Sequence, residues 1–258
     1  MRTLIRIHAI ALNTFREAVR SKILYAILFF AVLLILSSIA FGELSLYEQE
    51  RVIKDIGVVV ITLFGAMIAI YTGISLLHKE MDKKTIYTIV SKPIERWQFL
   101  VGKYLGILLT VAVELGFMSL IFLALLVLRD IAVTTTLVQA LLLIYVQIAV
   151  VAAIATLFSA FSTPFLSGMM TASLFLLGNL HDAIVSFTDS HASQMVRAFM
   201  RVGELLIPNL SLFNLSREVT YDLPVSWSYV MLTAGHGSLY VLVMLGLAAL
   251  IFSRRDFI

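Results

Sequence analysis

Cysteine is absent from all 258 residues. That excludes disulfides, thiolate metal sites and cysteine nucleophiles. Charge is also scarce: Asp, Glu, Lys and Arg make up 14%, where a soluble domain carries about 25%. The few charges cluster between long apolar blocks, and the blocks are nearly free of them. A bilayer core about 30 Å thick needs roughly 20 apolar residues per helical span. Blocks of that length recur, so lipid is the expected solvent. The net charge of +3 gives no reason to expect nucleic acid.

Residues 2–22 divide cleanly on a helical wheel. Leu4, Ile7, Ala11, Leu12, Phe15, Ala18 and Val19 share one side; Arg2, Arg6, Asn13, Arg16, Glu17 and Arg20 share the other. His8 and Ile10 depart slightly. The pattern predicts an interfacial amphipathic helix on the inner membrane surface. A secretory leader cleaved near Ser38-Ile39-Ala40 fits worse, because both the charged region and the apolar run are too long.

Six transmembrane helices are expected in a single all-α domain over 1–258, at about 23–41, 56–77, 99–128, 137–160, 164–187 and 228–252. The third is long enough to tilt. Arg129-Asp130 and three threonines make a tight outer turn. Thr163-Pro164 supplies a cap and a first-turn proline for the fifth span. Thirteen of the nineteen Lys and Arg residues fall in the N-terminal region, the 78–103 region and the C-terminus. That side is cytoplasmic by the positive-inside rule, and an even number of spans keeps both termini there.

Four polar features stand out. First, Glu80 precedes Lys83 and Lys84 at helical spacing; Ile86, Ile89 and Val90 add an apolar side, and Pro93 ends the run. Trp97 follows where an interfacial ring belongs. Two readings stand side by side: an ordinary positive-inside loop, and an amphipathic helix that docks a soluble partner. Second, Glu114 is the only charged residue deep inside the spans, with Lys103 counted on the cytoplasmic flank and Asp182 at the outer end of the fifth span. A carboxylate at that depth costs roughly 2.5–3.5 kcal/mol. It lines a translocation path, or is protonated or hydrogen-bonded to another span (for example through Gln147), or reaches the interface by tilt. Third, Gly102 and Gly106, and Gly235, Gly237 and Ser238, allow close helix approach, within one chain more readily than across a dimer. Fourth, residues 188–227 predict one or two short outer-surface helices, capped at Asp189-Ser190 and stopped by Pro208. Leu206, Pro208 and Phe213 there are candidates for an outer gate, against a plain connector. His181, Asp182, Asp189 and His191 do not share a helical face, and no metal site is assigned.

The whole chain resembles the ABC-2 type permeases of ABC transporters, closest in character to the NosY-like group that accompanies copper-enzyme maturation. The residues that carry this are the first helix ending Arg20-Ser21-Lys22, the Lys79-Glu80 opening, and Thr85 to Trp97. Gly102-Lys103-Tyr104 and the Arg254-Arg255-Asp256-Phe257 tail complete it. The resemblance implies that 79–92 is a coupling helix seated in an ATPase groove, through Lys79, Glu80, Lys83, Lys84, Thr85, Tyr87, Lys92 and Pro93. It implies two copies of the chain, or one with a related permease, joined to two ATPase subunits in a plasma (inner) membrane, and export as the direction. No Gly-x-x-x-x-Gly-Lys-Ser/Thr loop occurs, so the chain is not itself the ATPase. No cofactor is expected on it; ATP and Mg belong to the partner. Membrane lipid is the remaining partner.

Other classes were weighed. A secondary transporter normally shows paired ionisable groups or broken helices near the midplane, and one glutamate is thin support. An intramembrane enzyme lacks His-Glu-x-x-His and Gly-x-Ser-x-Gly here. A non-transporting scaffold or sensor subunit with the same docking helix is the alternative that the sequence leaves open.

Overall fold

The computed structural model describes residues 2–45, 48–82, 95–191 and 208–254. Every long element in them is helical. In chain order these are α1 (Arg2–Val19), α2 (Lys22–Leu44), α3 (Gln49–Asp82), α4 (Arg96–Leu128), α5 (Thr135–Phe161), α6 (Pro164–Asn179) and α7 (His181–His191). A 3-10 turn (Ser211–Phe213), α8 (Ser216–Thr220) and α9 (Trp227–Arg254) follow. Five helices are long and apolar enough to cross a membrane, and α6 with α7 makes a sixth if the bent pair counts as one span.

Helix α5 is the centre of the bundle. Its run from Val150 to Ala155 is buried on every side, because alanines let neighbouring backbones approach. Helices α3, α4, α6 and α9 surround it. Glycines on α3 fill the tightest gaps: a Cβ on Gly73 would come within 2.7 Å of Ala155 Cβ, and one on Gly65 within 2.8 Å of Leu115 Cδ2. Helices α2 and α9 are peripheral. Phe29, Phe30 and Leu33 of α2, and Leu239, Leu242 and Leu250 of α9, face outward. Such a surface is stable in hydrocarbon and costly in water.

The turn after α4 is tight for a local reason. Asp130 adopts φ 55°, a conformation that Asp tolerates better than branched residues. Thr134 then caps α5 by accepting from Leu137 N at 3.3 Å.

The first helix does not rest on lipid alone. Its Ile7–Ile10–Ala11–Thr14 ridge is seated on α4 at Gly102 and Gly106. A Cβ on Gly102 would lie 2.8 Å from Ile10 Cβ, and one on Gly106 would lie 2.5 Å from Thr14 Cβ and 2.7 Å from Ala11 O. Ile10, which departs from the wheel pattern, is therefore a packing residue. Leu4 and Ile5 stay exposed. This small-residue pair joins helices of one chain.

The fifth span differs from its sequence reading. In place of one helix over 164–187, α6 ends at Asn179 and α7 leaves at 60°. The chain returning at 208–210 causes this: Leu210 N donates to Gly178 O at 3.0 Å, and Asn179 Nδ2 folds back on Phe175 O at 2.8 Å. Helix α7 then continues through Asp189 and Ser190 to His191, so those two residues lie inside a helix end and not at a cap. The rest of the predicted outer-surface helix, with Leu206, lies outside the described residues.

Candidate functional site

Polar residues gather in three places within the apolar frame. The first is the end of the bundle where residues 83–94 connect α3 to α4. Helix α3 runs unbroken through Lys79 and Glu80 to Asp82, so these two continue a span and do not open a separate helix. Lys83, Lys84, Thr85, Tyr87, Lys92 and Pro93 lie outside the described residues. On the far side of the connection, Glu95 is the N-cap of α4 and accepts a hydrogen bond from Trp97 Nε1.

The start of α4 holds two other helices. Arg96 Nη1 donates to Phe252 O at 3.2 Å and to Ser253 O at 3.0 Å. These are among the last carbonyls of α9, where a cation offsets the helix dipole. Phe99 stacks on Phe252 with centroids 6.2 Å apart. On the other flank, Lys103 is nearly fully buried; its Nζ lies 3.9 Å from Glu17 Oε2 of α1 and 5.7 Å from the Phe99 ring centre. A carboxylate and a ring face together offset the desolvation of that ammonium. One assembly thus forms from the start of α4, α1 and the end of α9. The charge-count reading placed Lys103 with a loop. The signal against that was the unbroken apolar run that begins at Phe99.

The second place is mid-helix in α4, where Lys103, Thr110 and Glu114 follow one stripe. Glu114 is 9% exposed, and its Oε2 has no hydrogen-bond partner among the described residues. The expectation that Gln147 would satisfy it does not hold. Gln147 Nε2 donates to Asn179 Oδ1 at 2.9 Å and to Leu210 O at 3.4 Å. The break in the fifth span draws that amide away from α4.

The third place is the opposite end. Residues 208–226 dip into the bundle as a wedge. Leu210 sits on Gly178, where a Cβ would meet Pro208 O at 2.7 Å. Phe213 is 2% exposed and lies over Gly237, where a Cβ would meet its ring at 3.0 Å. Tyr229 Oη donates to Leu212 O at 2.7 Å. The wedge turns at Asp222, in the left-handed region at φ 52°. Lys54 Nζ donates to both Asp222 oxygens, at 2.8 and 2.9 Å. Ser216 Oγ donates to Asp55 Oδ1 at 2.6 Å, and Arg51 lies over the Tyr221 ring at 4.9 Å. From α5, Thr136 Oγ1 donates to Leu223 O at 3.0 Å and Gln139 Nε2 to Val225 O at 3.2 Å. Of the gate candidates, Pro208 and Phe213 belong to this wedge. The Lys54–Asp222 pair had no sequence signal, since 168 residues separate its members. At the same end, Arg129 Nη2 donates to Glu43 Oε1 at 2.6 Å and ties α4 to α2.

Among the described residues, no three His, Asp or Glu side chains stand close enough to hold a metal ion. The arrangement has one end that gathers the terminal helices on α4, a buried carboxylate midway, and one end pinned by a wedge.

No curated protein matches the chain. The family model described as ABC-2 family transporter protein matches residues 8–257. The match runs from within α1 past the end of α9, and the chain belongs to that family of membrane transport proteins.

Proposed function

We propose that the chain is the permease subunit of an ATP-driven exporter, moved by a separate ATPase that holds ATP and Mg. The observation that supports this most is the pair α3 and α4. Each has more than 30 residues, so each is about 50 Å long at 1.5 Å per residue. Both exceed the hydrocarbon core, and they bracket residues 83–94 at a single end. A force on that connection is delivered directly to two stiff rods that cross the bundle. The α1, α4 and α9 contacts give the same end a rigid footing.

The remaining parts of the reading follow from charge and family. The basic ends face the cytoplasm of a plasma (inner) membrane. Two permease copies, identical or related, work with two ATPase copies, as family members generally do. Residues 79–92 act as the coupling segment, Glu114 faces the translocation path of the assembled pair, and the wedge with Pro208 and Phe213 serves as the outer gate. The NosY-like character suggests an accessory role in metalloenzyme assembly.

Two experiments test this. The tagged full chain, extracted from its native membrane, is expected to carry ATP hydrolysis through purification. A Glu80→Lys/Lys84→Glu chain should insert to the same level and lose at least about tenfold of the co-purified hydrolysis, the scale of about 1.4 kcal/mol in binding. Full retention of hydrolysis by that variant would remove the docking role. Because the chain has no cysteine, single introduced cysteines report sidedness cleanly. In sealed inside-out vesicles, an impermeant maleimide is expected to label a cysteine at 84 and spare one at 50. Equal labelling of both would overturn the topology.

A further inference from the structure

The wedge is fastened to two helices in different ways. On the α5 side, Leu223 O and Val225 O accept from Thr136 and Gln139, both of them buried. On the α3 side, one stretch of helix supplies three clasps: Arg51, Lys54 and Asp55 meet Tyr221, Asp222 and Ser216. The α3 side borders open space. A cavity of about 490 Å³ lies there, with Glu48, Glu50, Arg51, Lys54 and Asp222 in its wall.

Glu50 is the odd member of that wall. It is exposed and makes no hydrogen bond or ion pair among the described residues. Yet it shares the cavity with Lys54 and precedes it by four residues on α3. A glutamate four residues before a lysine is the favoured order for an ion pair along one helix. Lys54 therefore has a second carboxylate on its own helix, unused while Asp222 holds it. Arg51 is supplied in the same way, since its bond to Glu48 Oε1, at 2.6 Å, does not involve the wedge. A buried ion pair is hard to break because the partner left behind is stranded. Glu50 lowers that cost for Lys54.

We propose that Lys54 is a switch with two partners. It holds Asp222 while the wedge is seated, and passes to Glu50 when α8 lifts from α3 about the bonds at Leu223 and Val225. This rests on the reading of the wedge as the outer gate. Val219→Cys reports the lift: Val219 is 0% exposed on α8, the change nearly conserves its size, and the chain has no other cysteine. Full-length Val219→Cys protein in nanodiscs is incubated with a water-soluble maleimide. When lifting is fast beside labelling, the rate follows the lifted population. Adding Asp222→Asn is expected to raise the rate about tenfold or more. Adding Glu50→Gln is expected to lower it about twofold, the weight of one such helical pair. With Lys54→Met in place, Glu50→Gln should change nothing. A Glu50 without a part in the lift would leave all these rates alone. An unchanged or faster rate in Glu50→Gln would overturn the switch, as would the same slowing with Lys54→Met present. If Asp222→Asn does not fold, the Glu50→Gln and Lys54→Met arms decide. No labelling of Val219→Cys, with or without Asp222→Asn, overturns the switch and the gate reading together. A rate that answers to Asp222 and ignores Glu50 removes the switch and leaves the gate.

Discussion

A Gly57→Ala chain is expected to melt well below the parent protein, and adding Phe122→Ala is expected to cost less than Phe122→Ala costs in the parent protein. Gly57 lies on α3 under the ring of Phe122, and a Cβ there would fall inside contact distance of the ring atoms Cε2, Cζ and Cδ2. Phe122 is 0% exposed, so the ring has no free space to turn into. Forcing a methyl group into a filled core costs about 1–3 kcal/mol, and a blocked aromatic ring belongs at the upper end. Phe122→Ala alone opens a cavity and costs about 3–5 kcal/mol. In the double variant the new methyl occupies part of that cavity. The two losses should therefore fall short of additivity by about 1–3 kcal/mol. Thermal or denaturant unfolding of the four proteins in one detergent measures this. Strictly additive losses would mean that α3 and α4 separate at Gly57 in the folded protein.

The second large effect is expected at Lys54 and Asp222, and it is unequal between the partners. The Lys54 side chain is 3% exposed and that of Asp222 is 50% exposed. Removing Asp222 strands a buried ammonium, whereas removing Lys54 leaves a carboxylate that water already reaches. Breaking a fully buried pair costs about 3–5 kcal/mol; with one partner half exposed, Asp222→Asn should cost about 2 kcal/mol. Asparagine is chosen because it tolerates the positive φ at 222, so the change reports on charge and not on backbone strain. Lys54→Met should cost less than about 1 kcal/mol, as for exposed pairs, because its long apolar chain keeps the packing. Adding Lys54→Met to Asp222→Asn should then restore stability. If Lys54→Met proves the more damaging change, the ammonium is hydrated in the folded protein and the clasp depends on the ion pair alone.

The sequence was most informative where lipid dictates the answer. Long uncharged runs have one stable form in hydrocarbon, so α2, α3, α4, α5 and α9 could be read from hydropathy. The amphipathic wheel of residues 2–22 identified α1, but not that its ridge would seat on Gly102 and Gly106 and not in lipid alone. Hydropathy is blind to which neighbour covers an apolar face. The same blindness explains the broken span. Residues 164–180 carry no charged residue, and the break depends on Leu210 reaching Gly178 from 32 positions away. Gln147 was one candidate partner for Glu114, whereas Asn179 Oδ1 and Leu210 O take its amide protons. Lys103 was read as a flanking charge because its neutralising groups, Glu17 and Phe99, come partly from another helix.

The seam between α3 and α5 has a consequence for motion. Gly65 and Gly73 on α3 are spaced to receive Ile148 and Ala155 on α5. Sliding one helix past the other by a single residue would set Phe64 or Ala66 against Ile148, and Thr72 or Ile74 against Ala155. The pair is geared, and cannot ratchet. On the proposed coupling, a stroke at the 83–94 connection would be shared by α5, and the wedge bonded to α5 at Thr136 and Gln139 would be carried along with it. Rearrangement would then fall to α2, whose outward face carries Phe29, Phe30 and Leu33.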